Sequence, residues 1–186
     1  MIIKQFTIIL SAILLALSAT ACGYDEIATD SVTEIRIAPF DNAGELPKSL
    51  DADGRCCRQS LMLWISFRLT DYADLAHLAS PMVRMQVIAL SDFDEGLPAG
   101  SDITSRFMLH PVRPEISMTD PDTHTYEPVR FSMPSEQEPL HTIYQEGAYL
   151  MLVSPPAEPV KCRFTVVATF ADGTSLSATT GEIDLF

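Results

Sequence analysis

Residues 160–186 read VKCRFTVVATFADGTSLSATTGEIDLF, and their alternation decides the fold. Cys162, Phe164, Val166, Ala168 and Phe170 share one parity, while Lys161, Arg163, Thr165, Val167 and Thr169 take the other. Side chains on a strand point to opposite faces in turn, so this is a strand with one face in a core. The run ADG supplies the turn, with Gly173 where a left-handed backbone is needed. A two-residue Asp-Gly loop would put Phe170 opposite Ser175 and send Leu176 to the polar face. A three-residue loop of Ala171, Asp172 and Gly173 puts Phe170 opposite Thr174, Leu176 beside Ala168 and Ala178 beside Val166. A one-residue slip exchanges the faces, so core burial selects the second register.

The same alternation recurs upstream. In SLMLWISFRLT, Leu61, Leu63, Ile65, Phe67 and Leu69 form the core set, and Met62, Trp64, Ser66, Arg68 and Thr70 face outward. Trp64 on that outer face either packs under a loop or belongs to a binding patch. EIRIAPF places Ile35 and Ile37 against Glu34 and Arg36, and Pro39 is expected to end that strand. MVRMQVIAL puts Val83, Met85, Val87 and Ala89 on one side, with Arg84 and Gln86 opposite. ITSRFMLHPV, THTYEPVRFSM and the run from Ala148 to Val153 are further strands, whereas DYADLAHLAS, closed by Pro81, predicts a helical turn or two carrying a solvated His77. The segment DNAGELPKSLDADGRCCRQS is dense in turn formers and predicts a long surface connection.

Seven or eight short strands with Pro-rich turns and little helix predict an all-β, antiparallel sandwich, with a small β-barrel as the alternative. Gly147 and Tyr149 open the strand at Ala148 with a pattern that resembles the corner of immunoglobulin-like and fibronectin-type domains, which implies an immunoglobulin-like sandwich. No internal repeat and no second domain boundary is visible.

Cys57 is in phase with Leu61 and Leu63, and Cys162 with Phe164, so a Cys57–Cys162 disulfide is the expected bridge, with Cys56 as the alternative partner. A loop on the order of 100 residues closed in this way would contribute about 4 to 5 kcal/mol. Adjacent Cys56 and Cys57 lack the C-x-x-C spacing of a tetrahedral metal site, so no metal is expected there. The loop SDFDEGLPAGSD gathers Asp92, Asp94, Glu95 and Asp102 without the EF-hand pattern and reads as an acidic solvated loop. Asp120, Asp122 and His124 alternate through a turn and read as turn formers.

At the other end stands MIIKQFTIILSAILLALSATACGYDE: a single Lys4, an apolar run from about Phe6 to Leu17, and small residues before Cys22. That is a secretory signal, too short for the roughly 20 residues of a membrane span. Ala19-Thr20-Ala21-Cys22 resembles the lipobox of bacterial lipoproteins, and Asp25 with Glu26 resembles the export signal of Bacteroidetes surface lipoproteins. DNAGELP is similar to a stretch in small Bacteroidetes lipoproteins. The resemblance implies cleavage before Cys22, acylation of its thiol and amine, and a membrane anchor at the outer face of the outer membrane. The expected organisation is a signal over 1–21, a lipid-anchored tether over 22–32 and one β-sandwich domain over 33–186.

The chain carries 12 basic and 25 acidic residues, a formal net charge of −13. Such a surface repels phosphate backbones, so nucleic acid is not an expected partner. No G-x-S-x-G elbow, H-E-x-x-H pair, P-loop or dinucleotide fingerprint occurs. The expected function is therefore non-enzymatic and without cofactor: a binding or adhesion module for a glycan or protein, with a periplasm-facing structural subunit as the alternative and a hydrolase as the third. Trp64 is the expected ligand contact.

Overall fold

The computed structural model describes residues 29–44, 47–71, 75–111, 133–144 and 147–186. These residues form an all-β fold. In chain order the strands are β1 (Thr29–Asp30), β2 (Val32–Asp41), β3 (Lys48–Ser49), β4 (Arg55–Cys56), β5 (Leu61–Leu69), β6 (Leu75–Ala89) and β7 (Phe107–Pro111). They continue with β8 (Leu140–Tyr144), β9 (Ala148–Leu152), β10 (Val160–Cys162), β11 (Phe164–Phe170), β12 (Ser175–Thr179) and β13 (Ile183–Leu185). Eight of them have five residues or more, which matches the expected number of full strands; the others are two- or three-residue pairings.

Two five-stranded sheets carry the core. One runs β3-β2-β5-β9-β7, and the other runs β1-β6-β11-β12 with β8 also paired to β6. The first sheet turns Ile35, Leu61, Leu63, Ile65, Phe67, Leu150, Leu152, Phe107 and Leu109 inward, all buried. Met82, Met85, Val87, Phe164, Val166, Ala168 and Phe170 meet them from the second. The Phe107 and Phe164 rings join the layers edge to face with centroids 5.7 Å apart, and Phe93 from the loop after β6 stands 5.9 Å from Phe164. Each fully buried Leu, Ile, Val or Phe contributes about 1.5 to 3 kcal/mol, so this interior outweighs any surface ion pair.

The hairpin of β11 and β12 has the register that burial selects. Ala168 pairs with Leu176 and Val166 with Ala178. The Gly173 N–H donates to the Phe170 carbonyl at 2.9 Å, and Gly173 has φ +87°. A third, small sheet of order β10-β13-β4 covers an apolar patch made by Cys162, Ile183, Leu185 and Cys56.

Several expectations are corrected. Residues 75–80 are not helical: β6 runs unbroken through Pro81 to Ala89, and Ala76 pairs with Ile143 on β8. Non-local pairing overrides the local helical spacing. Val83 is not on the core side. The register slips between Thr169 and Phe170, so Phe170 faces Met82 while Thr169 faces Arg84. The extra residue is a β-bulge that hands the core position to Met82, which is fully buried. Pro39 does not end β2, which continues to Asp41. Its carbonyl accepts from the Leu50 N–H at 3.3 Å, on the side away from β5, so the missing proline N–H falls where β5 needs none. Pairing also begins earlier than residue 33, because Thr29 and Asp30 lie parallel to His77 and Leu78.

Asp30 fastens that entry. Its carboxylate accepts from the backbone N–H groups of Ser31 at 2.6 Å, Thr70 at 2.9 Å and Asp71 at 3.1 Å. Burial pushes its pKa up, but the N–H groups of Ser31, Asp71 and Thr70 outweigh this and hold it below the ordinary carboxylate value.

The expected Cys57–Cys162 disulfide is absent: Cys56, Cys57 and Cys162 are free thiols. Cys56 points inward, while Cys57 is half-buried and donates to Gln59 Oε1 at 2.8 Å. Cys56 does not bridge to Cys162 either. Cys162 stands opposite Ile183 and Cys56 opposite Leu185, on the two flanks of β13. Two strand spacings put their Cα atoms on the order of 10 Å apart, beyond the roughly 7 Å limit of a disulfide.

Candidate contact face around Trp64

The side of the first sheet that faces away from the core is built by the parity that buries its other side. On β5 the outward residues are Met62, Trp64, Ser66 and Arg68, and register sets their neighbours. Trp64 pairs with Ala38 on β2 and with Tyr149 on β9. Met62 pairs with Phe40 and Met151, and Met151 in turn with Met108 on β7. One row is therefore apolar across four strands on the outer side of the sheet, and the adjacent row, Ala38, Trp64 and Tyr149, is apolar across three before it meets His110 on β7.

Geometry locks the centre of this face. The Trp64 and Tyr149 rings meet edge to face with centroids 4.6 Å apart at 70°, and Phe40 stands 6.4 Å from Trp64 at 45°. Such aromatic pairs contribute about 0.5 to 1.5 kcal/mol beyond the area they cover. Met62 is 3% exposed even though it is on the outer side, flanked by Phe40 and Met151, and the remaining members are half-buried. Beside the apolar rows lies a polar border: Glu34 binds Arg36 at 2.8 Å and Arg68 at 3.6 Å. The side-chain bonds to Arg36, with burial opposing them, hold the Glu34 carboxyl below its ordinary value.

The other expected site residues are dispersed. Cys22, Asp120, Asp122 and His124 lie outside the described residues. His77 is exposed on β6, with Nδ1 3.4 Å from Thr142 Oγ1. The acidic residues of SDFDEGLPAGSD do not converge. Asp92 accepts from the Ala99 N–H, Asp94 pairs with Arg106 at 3.6 Å, and Asp102 accepts from Gln86 and Thr104. Among the described residues no three His, Cys, Asp or Glu side chains come together as a metal would require.

Sequence reasoning singled out Trp64 and put Met62 on the same outward face, but missed Phe40, Met108, Tyr149 and Met151 as companions. The signal was present in part: Tyr149 and Met151 alternate with Ala148, Leu150 and Leu152, so an apolar outer face was legible on β9 alone. Which strand lay beside it was not. Comparison with known proteins gives no match: no family model, curated protein or solved structure aligns with the chain.

Proposed function

We propose that this protein is a non-enzymatic envelope lipoprotein, acylated at Cys22 and held at the outer membrane surface. There it binds a protein partner through the face around Trp64. The observation that carries the binding role is the pair of apolar rows centred on Trp64 and Tyr149, on the solvent side of a sheet whose opposite side already fills the core. Contact patches enriched in aromatic residues and methionine, with a polar border, are what protein interfaces present. The flatness of a sheet face and the Met-rich second row favour a protein over a glycan, which would need hydrogen-bonding groups among the rings. Within the all-β class we read the sandwich as immunoglobulin-like, on its two layers and on the corner at Gly147 and Tyr149.

The test combines three measurements on cells expressing the full chain. Intact mass spectrometry is expected to show an acylated Cys22 at the mature N-terminus. Protease shaving of intact cells is expected to remove the protein, and its survival would instead place it facing the periplasm. A photo-crosslinking residue at Ala38 is expected to capture one defined protein, while the same residue at Thr169 on the opposite sheet captures none. Equal capture from both positions would overturn the assignment of the face.

A further inference from the structure

The face around Trp64 differs in charge from the chain as a whole. The outward positions of β2, β5 and β9 carry two guanidiniums, Arg36 and Arg68, against one carboxylate, Glu34, whereas the chain has 12 basic and 25 acidic residues. Register fixes where those charges stand. Arg36 pairs with Ser66, one row beyond Ala38 and Trp64, and Glu34 pairs with Arg68 one row further. At two residues per row, these lie about 7 and 14 Å along the strands from the Trp64 row. Glu34 serves both cations. Arg36 donates to it through Nε at 2.8 Å and Nη2 at 3.1 Å, and Arg68 Nη1 stands 3.6 Å away. One carboxylate cannot neutralise two guanidiniums, so the border keeps a net positive charge. The Arg36 and Arg68 side chains are 67% and 68% exposed, which leaves each five-donor fork within reach of a second anion.

We propose that the partner of this face is a protein whose apolar contact patch is flanked by carboxylates, and that Arg36 and Arg68 receive them. This rests on the binding role proposed above for the Trp64 face. Guanidiniums pair with carboxylates through parallel N–H donors, so they suit such a border better than neutral groups would. An exposed ion pair such as Arg68 with Glu34 at 3.6 Å contributes little to the fold, so a partner's carboxylate can take its place. The charge of the whole chain then adds selectivity. At a net −13 it repels an acidic partner at long range, and the positive border reverses that repulsion at one face, which orients the encounter. Rows −1 and 0 of the partner's patch would cover the Met62 and Trp64 rows, with its carboxylates about 7 to 14 Å beyond.

The test follows the adduct formed in intact cells by the photo-crosslinking residue at Ala38. Its yield is compared in Arg68→Glu, Arg68→Lys and Glu34→Gln backgrounds, and in the unmodified background at low salt and at about 0.5 M NaCl. Arg68→Glu and added salt are each expected to lower the yield about three-fold or more, Arg68→Lys to retain most of it, and Glu34→Gln to raise it. Melting temperatures should stay near that of the wild type, because the substituted side chains are on the surface. A second measurement reads the chemistry directly. In Arg68→Lys combined with Glu34→Gln, a carbodiimide is expected to join the new amine to an Asp or Glu of the same captured protein, located by mass spectrometry. A yield unchanged by the charge at position 68 and by salt, or no amide link from position 68 to that protein, would overturn the acidic border while leaving the contact face in place. Absence of an adduct at Ala38 in every background, or an adduct with lipid instead of protein, would remove the contact face and this proposal with it.

Discussion

Gly147 lies against the backbone of Ile65 so closely that a β-carbon on it would overlap the Ile65 carbonyl oxygen. It also has φ +102°, a conformation that side chains with a β-carbon rarely adopt. Strain and overlap act together at the point where β9 joins β5. Gly147→Ala is expected to cost about 3 kcal/mol or more, read as a lower urea midpoint in equilibrium unfolding. A loss of under about 0.5 kcal/mol would mean that the corner relaxes freely.

Asp30 predicts an acid-sensitive entry to the sheet. Its folded pKa is below the unfolded one, so the folded state binds fewer protons. Its stabilisation is complete above about pH 4 to 5 and fades as pH falls through the lower folded value. Asp30→Ala is expected to cost about 1 to 3 kcal/mol near neutrality, because three backbone donors lose their acceptor. In thermal melts the gap between wild type and variant should narrow toward pH 2 to 3, whereas a constant gap would show that the carboxylate charge contributes nothing.

The cysteines should behave as three separate thiols. Burial pushes Cys56 up to about 11 and Cys162 up to about 12, with neighbouring charges adding to the shift, so neither offers thiolate near neutral pH. A maleimide applied to the native protein, followed by peptide mapping, is expected to label Cys57 and to reach Cys56 and Cys162 only after unfolding. Reductant should leave the melting temperature unchanged. A reductant-sensitive melt would restore the disulfide.

Trp64→Ala should separate binding from folding. Trp64 is half-buried, so its loss is expected to cost about 1 to 2 kcal/mol of stability, within what such a core tolerates. Capture by the crosslinker at Ala38 is expected to disappear. If capture persists at wild-type yield, Trp64 serves packing alone.

The sequence-level argument worked where one strand and its own turn were enough. Phe164 to Phe170 alternates without interruption, and burial of Leu176 and Ala178 chooses between the two turn lengths that Gly173 allows, so partner and register followed together. It failed where the information is held by residues far away. Leu75 and Leu78 have helical spacing, and only β1 and β8 make them strand. Cys57 was counted in phase with Leu61, but the turn at 58–60 resets the phase and Cys56 joins a different sheet. The Trp64 face was half legible, since one residue parity marks an outer side but does not say which strands complete it.

The length of β6 has a kinetic consequence. β1, β8, β11 and the loop at 100–104 all attach to this one strand, and its partners on β8 and β11 are 58 or more positions away along the chain. Local contacts cannot assemble the second sheet in advance, so the chain closes long loops before it gains anything from them. Folding is therefore expected to be slow, on the order of milliseconds to seconds, as for other proteins of high contact order. For the export proposed above, this delay would be an advantage: the chain would stay threadable until β11 had emerged.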